Sequence, residues 1–226
     1  MATLFVVATP IGNLKDFSAR AEESLRAADL VLCEDTRVTR RLLSAYGIST
    51  PTAALHQHST AARHAAYIDL LREGKTLALV SDAGTPGISD PGGRFVADAL
   101  KELGDTLSVV PIPGPCAAVA ALSASGFPAD TFLFLGFPPQ KKGREAFFRS
   151  LDDVEHTVVF YESIHRVEKA LASLAAVMPK RRMMLARELT KMHECIYRGT
   201  PLQVTEELKN DTIKGECVMV LAPKKF

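Results

Sequence analysis

A chain of 226 residues that is 47% hydrophobic and 23% charged has the composition of a globular protein of one large or two modest domains, and it buries enough surface to fold without disulfides or a structural metal. Its four cysteines (Cys33, Cys116, Cys195, Cys217) lie 83, 79 and 22 positions apart, which excludes a CxxC pair and zinc-ligand spacing, and no apolar run approaches the ~20 residues that cross a bilayer. Charge is nearly balanced, with 27 Lys and Arg against 26 Asp and Glu, which argues against a strongly basic nucleic-acid binder.

Met1 leads directly into an apolar, β-rich run with no basic leader, so a cytoplasmic protein with no membrane partner is expected. Leu4–Ala8 reads as a buried strand ended by the turn Thr9-Pro10-Ile11-Gly12-Asn13. Ser18 suits the N-cap of a helix reaching about Ala28. Leu30–Cys33 is a second strand, Thr36 a cap for a helix to Tyr46, and Gly47 its stop. A helix from Thr60 to Arg72 ends at Gly74, and Thr76–Val80 is a third strand. After the loop Ser81–Asp90, Pro91 opens a helix to Leu103, and Leu107–Val110 closes the series. Strands alternating with helices predict a mostly parallel, helix-covered sheet.

The Pro-rich stretch 111–115 marks a boundary, giving an N-terminal α/β domain over 1–113 and a C-terminal one over 114–226. A helix over Cys116–Ala124 follows, then strands near Thr131–Gly136, Thr157–Tyr161, Met183–Arg187, Cys195–Arg198 and Cys217–Leu221, whose less regular spacing predicts a mixed sheet. The first domain carries 11 basic and 13 acidic side chains and the second 16 and 13. Basic clusters at Arg37/Arg40/Arg41, Lys141/Lys142/Arg144 and Lys180/Arg181/Arg182 are either an electrostatic footprint for a polyanion or plain solvated charge. His56-Gln57-His58 offers two imidazoles, too few for a metal site, and no metal is expected.

In open α/β sheets, ligands bind beyond the carboxyl ends of the strands. The turns Thr9–Asn13, Ser81–Asp90 and Pro111–Pro115 each follow a first-domain strand and each hold Gly and Pro, so together they predict one binding crevice. None is a GxGxxG or Walker loop. With Asp35, Asp82, Ser89 and Asp90 and few cations nearby, they suit a ligand bearing amine, hydroxyl and positive charge, of which S-adenosylmethionine is one.

Several segments then carry a resemblance: Leu-Phe-Val-Val-Ala-Thr-Pro-Ile-Gly-Asn-Leu-Lys-Asp (4–16), Cys-Glu-Asp-Thr-Arg (33–37), Ser-Asp-Ala-Gly-Thr-Pro-Gly-Ile-Ser-Asp-Pro-Gly (81–92), Pro-Gly-Pro (113–115), Ala-Leu-Ser-Ala-Ser-Gly (121–126), Phe-Leu-Gly-Phe (134–137), Lys-Lys-Gly (141–143), Phe-Tyr-Glu-Ser (160–163), Arg-Glu-Leu-Thr-Lys (187–191) and Lys-Gly-Glu (214–216). In this order the chain resembles, along its whole length, the bacterial enzymes of the tetrapyrrole methylase superfamily that 2′-O-methylate cytidine 1402 of 16S rRNA. The resemblance implies two α/β domains with a cleft between them for S-adenosylmethionine, a homodimer, and the small ribosomal subunit as partner. It implies cofactor contacts at Ile11, at Asp82, Ala83, Gly84, Thr85 and Ile88, at Cys116 and Ala117, and at Glu162, Leu189 and Gly215. Departures from the usual pattern are Cys116 for Ser, Ile164 for Pro and Pro138 for Leu, and the RNA contacts that many relatives make through an extra C-terminal segment are not expected of residues 1–226.

Methyl transfer to a ribose hydroxyl needs in-line positioning and an acceptor for the hydroxyl proton. Asp35 and Glu188 are the expected acceptors, and Lys191 either stabilises the developing alkoxide or, if desolvated, serves as the base. Arg37, Lys141, Lys142 and Arg166 are expected on RNA phosphate. For Glu34 and Asp35 a second reading stays open, a helix N-terminal cap paired with Arg37. The competing functions are methylation of a small tetrapyrrole or corrin, and noncatalytic binding of RNA or a nucleotide.

Overall fold

A computed structural model describes residues 2–56, 59–209, 211 and 215–226. His58 of the histidine pair and Lys214 of the Lys-Gly-Glu segment lie outside the described residues. The chain forms two compact units, Met1–Cys116 and Ala117–Phe226.

The first unit alternates strand and helix: β1 (Ala2–Val7), α1 (Ala19–Ala27), β2 (Leu30–Cys33), α2 (Thr36–Ala45), β3 (Thr52–Ala54), α3 (Ala61–Arg72), β4 (Thr76–Leu79), α4 (Gly92–Leu103) and β5 (Leu107–Ile112). All pairings are parallel and the strand order is β3-β2-β4-β1-β5. Side chains alternate along β4, so Leu77 and Leu79 join Phe95 and Ala99 of α4 and Leu71 of α3, while Ala78 and Val80 join Leu25 of α1 and Leu43 of α2. Two helices therefore cover each face. The buried residues of α4, Gly92, Phe95, Ala99 and Leu103, recur every three or four positions, which is the stripe a half-buried helix requires. Phe95 is fully buried, and truncating it to Ala would cost about 3–5 kcal/mol. Pro111 lies inside β5, where it is tolerated because β5 is an edge strand and the missing N–H faces no neighbour.

Two local expectations need correction. The N-cap of α2 is Asp35, whose carboxylate accepts from the Arg37 N–H at 2.8 Å; Thr36 is already helical. The edge strand β3 was not expected, because Thr52-Ala53-Ala54 is too short to show alternation.

The second unit runs α5 (Ala117–Ser125), β6 (Phe132–Phe134), α6 (Arg144–Ser150), β7 (Thr157–Ser163), α7 (Val167–Val177), β8 (Met183–Arg187), β9 (Cys195–Gly199), α8 (Pro201–Leu208) and β10 (Glu216–Leu221). Its sheet is mixed, in the order β6-β7-β10-β8-β9, with only the β6–β7 pair parallel. One face packs Phe160, Met183, Leu185 and Met219 against Phe148 of α6, Leu171 and Leu174 of α7 and Val204 of α8. Arg181 is buried, not a surface charge: its guanidinium donates to the carbonyls of Leu151, Ala222 and Val154 at 2.5, 2.8 and 2.9 Å. That removes it from the expected polyanion footprint.

Candidate functional site

Strands β4, β1 and β5 are neighbours, so the three Gly- and Pro-bearing turns leave the same edge of the sheet side by side. They are also tied together. Thr9 and Gly84 exchange backbone hydrogen bonds at 2.9 and 3.1 Å, and the Ala8 N–H donates to the Ile112 carbonyl at 3.2 Å. The buried Thr9 hydroxyl donates to the Ser81 carbonyl at 3.2 Å and the Thr85 hydroxyl to the Pro115 carbonyl at 2.9 Å. Gly114 is required by close approach: a Cβ there would sit 2.9 Å from the Ala8 Cβ. Asp90 closes the second loop by accepting from the N–H groups of Gly87 and Gly92, both at 2.7 Å. Ile11, Gly84 and Thr85 thus meet Pro115, the residue before Cys116, whereas Ile88 stands 43% exposed at the outer end of its loop. Asp82 and Ala83 are exposed on the rim, Cys116 is half-buried with a free thiol, and Ala117 opens α5.

Connections leave β1 and β4 toward opposite faces, which places a crevice between them, the position where α/β sheets bind ligands. At the neighbouring end of β2, the Asp35 N–H donates to the Asp82 carboxylate at 3.0 Å. The Asp35 carboxylate is bound to Arg37 at 2.6 Å and held at a pKa of about 2, chiefly by hydrogen bonds from that guanidinium and from the Arg37 N–H. Asp35 thus caps α2 and pairs with Arg37, and a carboxylate held so far toward its ionised form is a weak proton acceptor. Sequence reasoning passed over Glu34 as an acceptor. Burial raises its pKa, and the charges of Asp82 and Asp90 raise it further, with the Asp82 N–H opposing. Its only sequence signal was an acid at a strand end, since Asp82 and Asp90 reach it through the β2–β4 pairing.

In the second unit the loop after β8 is bent through left-handed backbone at two residues with side chains, Glu188 (φ 53) and Thr190 (φ 66). Such conformations cost about 1–3 kcal/mol each and cluster at functional sites. Glu188 accepts from Lys191 Nζ at 2.9 Å and from the Glu216 N–H at 3.0 Å, and Lys191 also reaches the Glu216 carboxylate at 3.1 Å. The Glu188 carboxylate lies where a Cβ on Gly215 (φ 98) would stand, so only glycine fits that position. Although burial acts the other way on each group, hydrogen bonding lowers the Glu188 pKa and raises that of Lys191. Both shifts favour the charged form of each partner, a carboxylate beside an ammonium. Leu189, between the two bent residues, is half-buried, and the Thr190 hydroxyl oxygen is buried with no hydrogen-bond partner among the described residues.

Glu162 is one of the expected cofactor contacts. Its side chain is wholly buried, with Oε2 bound to Arg144 at 2.6 Å and Oε1 accepting from Arg166 Nε at 3.0 Å and from the Ser163 N–H at 2.7 Å. Three of the roughly four acceptor positions of the carboxylate are thus taken by protein donors. Lys141 and Lys142 are exposed on the loop leading into α6.

Three linked loops at the switch point of a parallel sheet, in a chain that also carries a mixed α/β unit, define a methylase of the tetrapyrrole type: the profile of the tetrapyrrole (corrin/porphyrin) methylases matches residues 3–204. Among solved structures the chain is similar to uroporphyrin-III-C-methyltransferase from Thermus thermophilus (TM-score 0.67, 21% identity, 98% of this chain and 94% of that one) and to a cobalt precorrin-4 methyltransferase (TM-score 0.71, 17% identity, 97% and 94%), likenesses of fold. It is 44% identical over 220 residues to ribosomal RNA small subunit methyltransferase I of Halalkalibacterium halodurans, covering 97% of this chain and 75% of that protein. Against the protein of the same name from Pseudomonas aeruginosa it is 47% identical over 225 residues, covering 97% and 78%. The chain belongs to the ribosomal RNA small subunit methyltransferase I family of tetrapyrrole methylases.

Proposed function

We propose that the protein is an S-adenosylmethionine-dependent methyltransferase that 2′-O-methylates a cytidine ribose of 16S rRNA, at position 1402, acting on the small ribosomal subunit in the cytoplasm as a homodimer. The observation that carries this reading is the mutual anchoring of the three loops at the ends of β1, β4 and β5.

The residues present fit such a cofactor. Closely packed turns with exposed Asp82 and Ala83 offer backbone carbonyls and a carboxylate to an amine and a sulfonium, and Gly84 and Gly114 let a ligand approach the backbone. When bound, S-adenosylmethionine supplies a methyl group made electrophilic by its positive sulfur. The chain's own task is to position the ribose hydroxyl and take its proton. Glu34 is the acceptor we favour over Asp35 and Glu188, since both of those are held ionised by close cations and Glu34 is shifted toward neutrality. Lys191, fixed as a cation by two carboxylates, suits the stabilisation of negative charge on oxygen. Arg166, Lys141, Lys142 and Arg37 are the groups we assign to RNA phosphate, a reading supported by the exposure of Lys141 and Lys142 and of Arg37, 83% exposed beyond its ion pair.

Incubating purified small subunits with methyl-labelled S-adenosylmethionine and mapping the modified nucleotide tests the reading. Label on one cytidine ribose is the expected result. Label confined to small molecules, or none in RNA, overturns it. Light scattering should give twice the 24.5 kDa chain mass.

A further inference from the structure

We propose that Arg144, Glu162 and Arg166 form a preorganised receptor for an RNA phosphate, in which Glu162 is a positioning residue and the terminal nitrogens of Arg166 make the contact. This rests on the reading of the protein as an RNA methyltransferase and assigns the triad a part in holding that substrate.

The three groups come from separate elements. Arg144 opens α6, Glu162 lies on β7, and Arg166 ends the short 3-10 turn that precedes α7. The carboxylate between them is fully buried and each oxygen takes one guanidinium. Arg144 is spent on the protein: Nη2 binds Glu162, Nη1 donates to the Pro139 carbonyl at 3.3 Å, and its guanidinium carbon lies 5.0 Å from the centre of the Phe148 ring. Arg166 differs. Only its Nε is engaged, at 3.0 Å; Nη1 and Nη2 have no bond among the described residues, and its side chain keeps 25% of its exposure. A guanidinium pinned by Nε with both Nη groups free is a fork ready for two oxygens of one phosphate.

Charge and cost point the same way. One carboxylate between two guanidiniums leaves a net positive charge at the end of β7, and the exposed Lys141 and Lys142 lead into α6, with the Lys141 carbonyl accepting from the Arg144 N–H at 3.3 Å. A buried ion cluster is seldom better for stability than packed apolar side chains of the same size. A use for the oriented fork accounts for keeping it.

The test is methyl transfer to small ribosomal subunits at saturating S-adenosylmethionine and varied salt, with cofactor affinity measured separately by calorimetry. Arg166→Lys keeps the charge and loses the fork; its KM for subunits should rise about tenfold with kcat little changed. Arg166→Gln should raise KM similarly and lower the slope of log(kcat/KM) against log salt by about one. Glu162→Gln adds positive charge, so a purely electrostatic contribution predicts tighter substrate binding; loss of positioning predicts a KM about tenfold higher. Cofactor affinity should stay at the wild-type value in all three. A folded Glu162→Gln protein with KM at or below wild type overturns the proposal, as does Arg166→Gln with unchanged KM and salt slope; if Glu162→Gln fails to fold, the two Arg166 variants decide. Should the wild-type protein transfer no methyl to subunits, the underlying reading falls and the receptor with it, whereas an active wild type with indifferent Arg166 variants refutes the receptor alone.

Discussion

Gly114→Ala probes whether the first and third loops depend on their close approach. The added Cβ would stand 2.9 Å from the Ala8 Cβ and 3.5 Å from the Ala8 carbonyl oxygen. Relief needs a separation of about half an ångström at a place where Ala8 is buried and its N–H is bonded to Ile112 at 3.2 Å. Overpacking of this kind costs about 1–3 kcal/mol, or roughly 2–10 °C in the midpoint of a chain this size. Ala8→Gly removes the colliding methyl, so the double variant should recover at least about 1 kcal/mol relative to the sum of the single changes. Urea titration supplies the stabilities, and calorimetry with S-adenosylmethionine should show about tenfold weaker binding for Gly114→Ala, largely restored in the pair. Strictly additive stabilities, or wild-type cofactor affinity in Gly114→Ala, would refute the idea that these loops bind as one packed unit.

Glu34→Gln should cut turnover by about a hundredfold. Because the folded pKa of Glu34 is raised, its ionisation opposes folding above the ordinary carboxylate range; the variant should therefore gain stability at pH 7, a gain that vanishes below about pH 4, as paired urea titrations would record. Asp35 has the opposite sign: its folded pKa is about 2, so the stability it adds is present above about pH 4 and is lost as pH falls through 2. Asp35→Asn, which keeps a cap acceptor, should flatten that acid limb in thermal melts while leaving most of the turnover. Arg181→Met strands two buried carbonyls and one partly buried one and should lower unfolding stability by about 3–5 kcal/mol in urea, with cofactor affinity unaltered.

Most of the architecture was legible because it is written locally. Leu30–Cys33 and Met183–Arg187 are apolar runs whose limits coincide with β2 and β8, and Ser18 and Thr60 cap α1 and α3 by side-chain bonds to Ala21 and Arg63, as their chemistry suggests. At α2 two capping-type residues stand side by side, and only geometry decides that Asp35 reaches the Arg37 N–H. The site was legible in part for the same reason. Glycines and prolines announced the three turns, but their bonds run between residues such as Thr9 and Gly84, brought together by strand order, which no local pattern encodes. Glu162 shows the limit most sharply. A motif supplied its place in the chain, yet its chemistry depends on two arginines contributed by α6 and the turn before α7, which only the fold brings to it.

The interior position of β1 has a bearing on synthesis. Its two hydrogen-bonding neighbours, β4 and β5, occupy residues 76–79 and 107–112, so a nascent chain must extend well past residue 100 before the amino-terminal strand is flanked on both sides. Until then a β-branched segment presents open edges, and this half of the protein should acquire protease resistance late and in a single step as elongation passes β5.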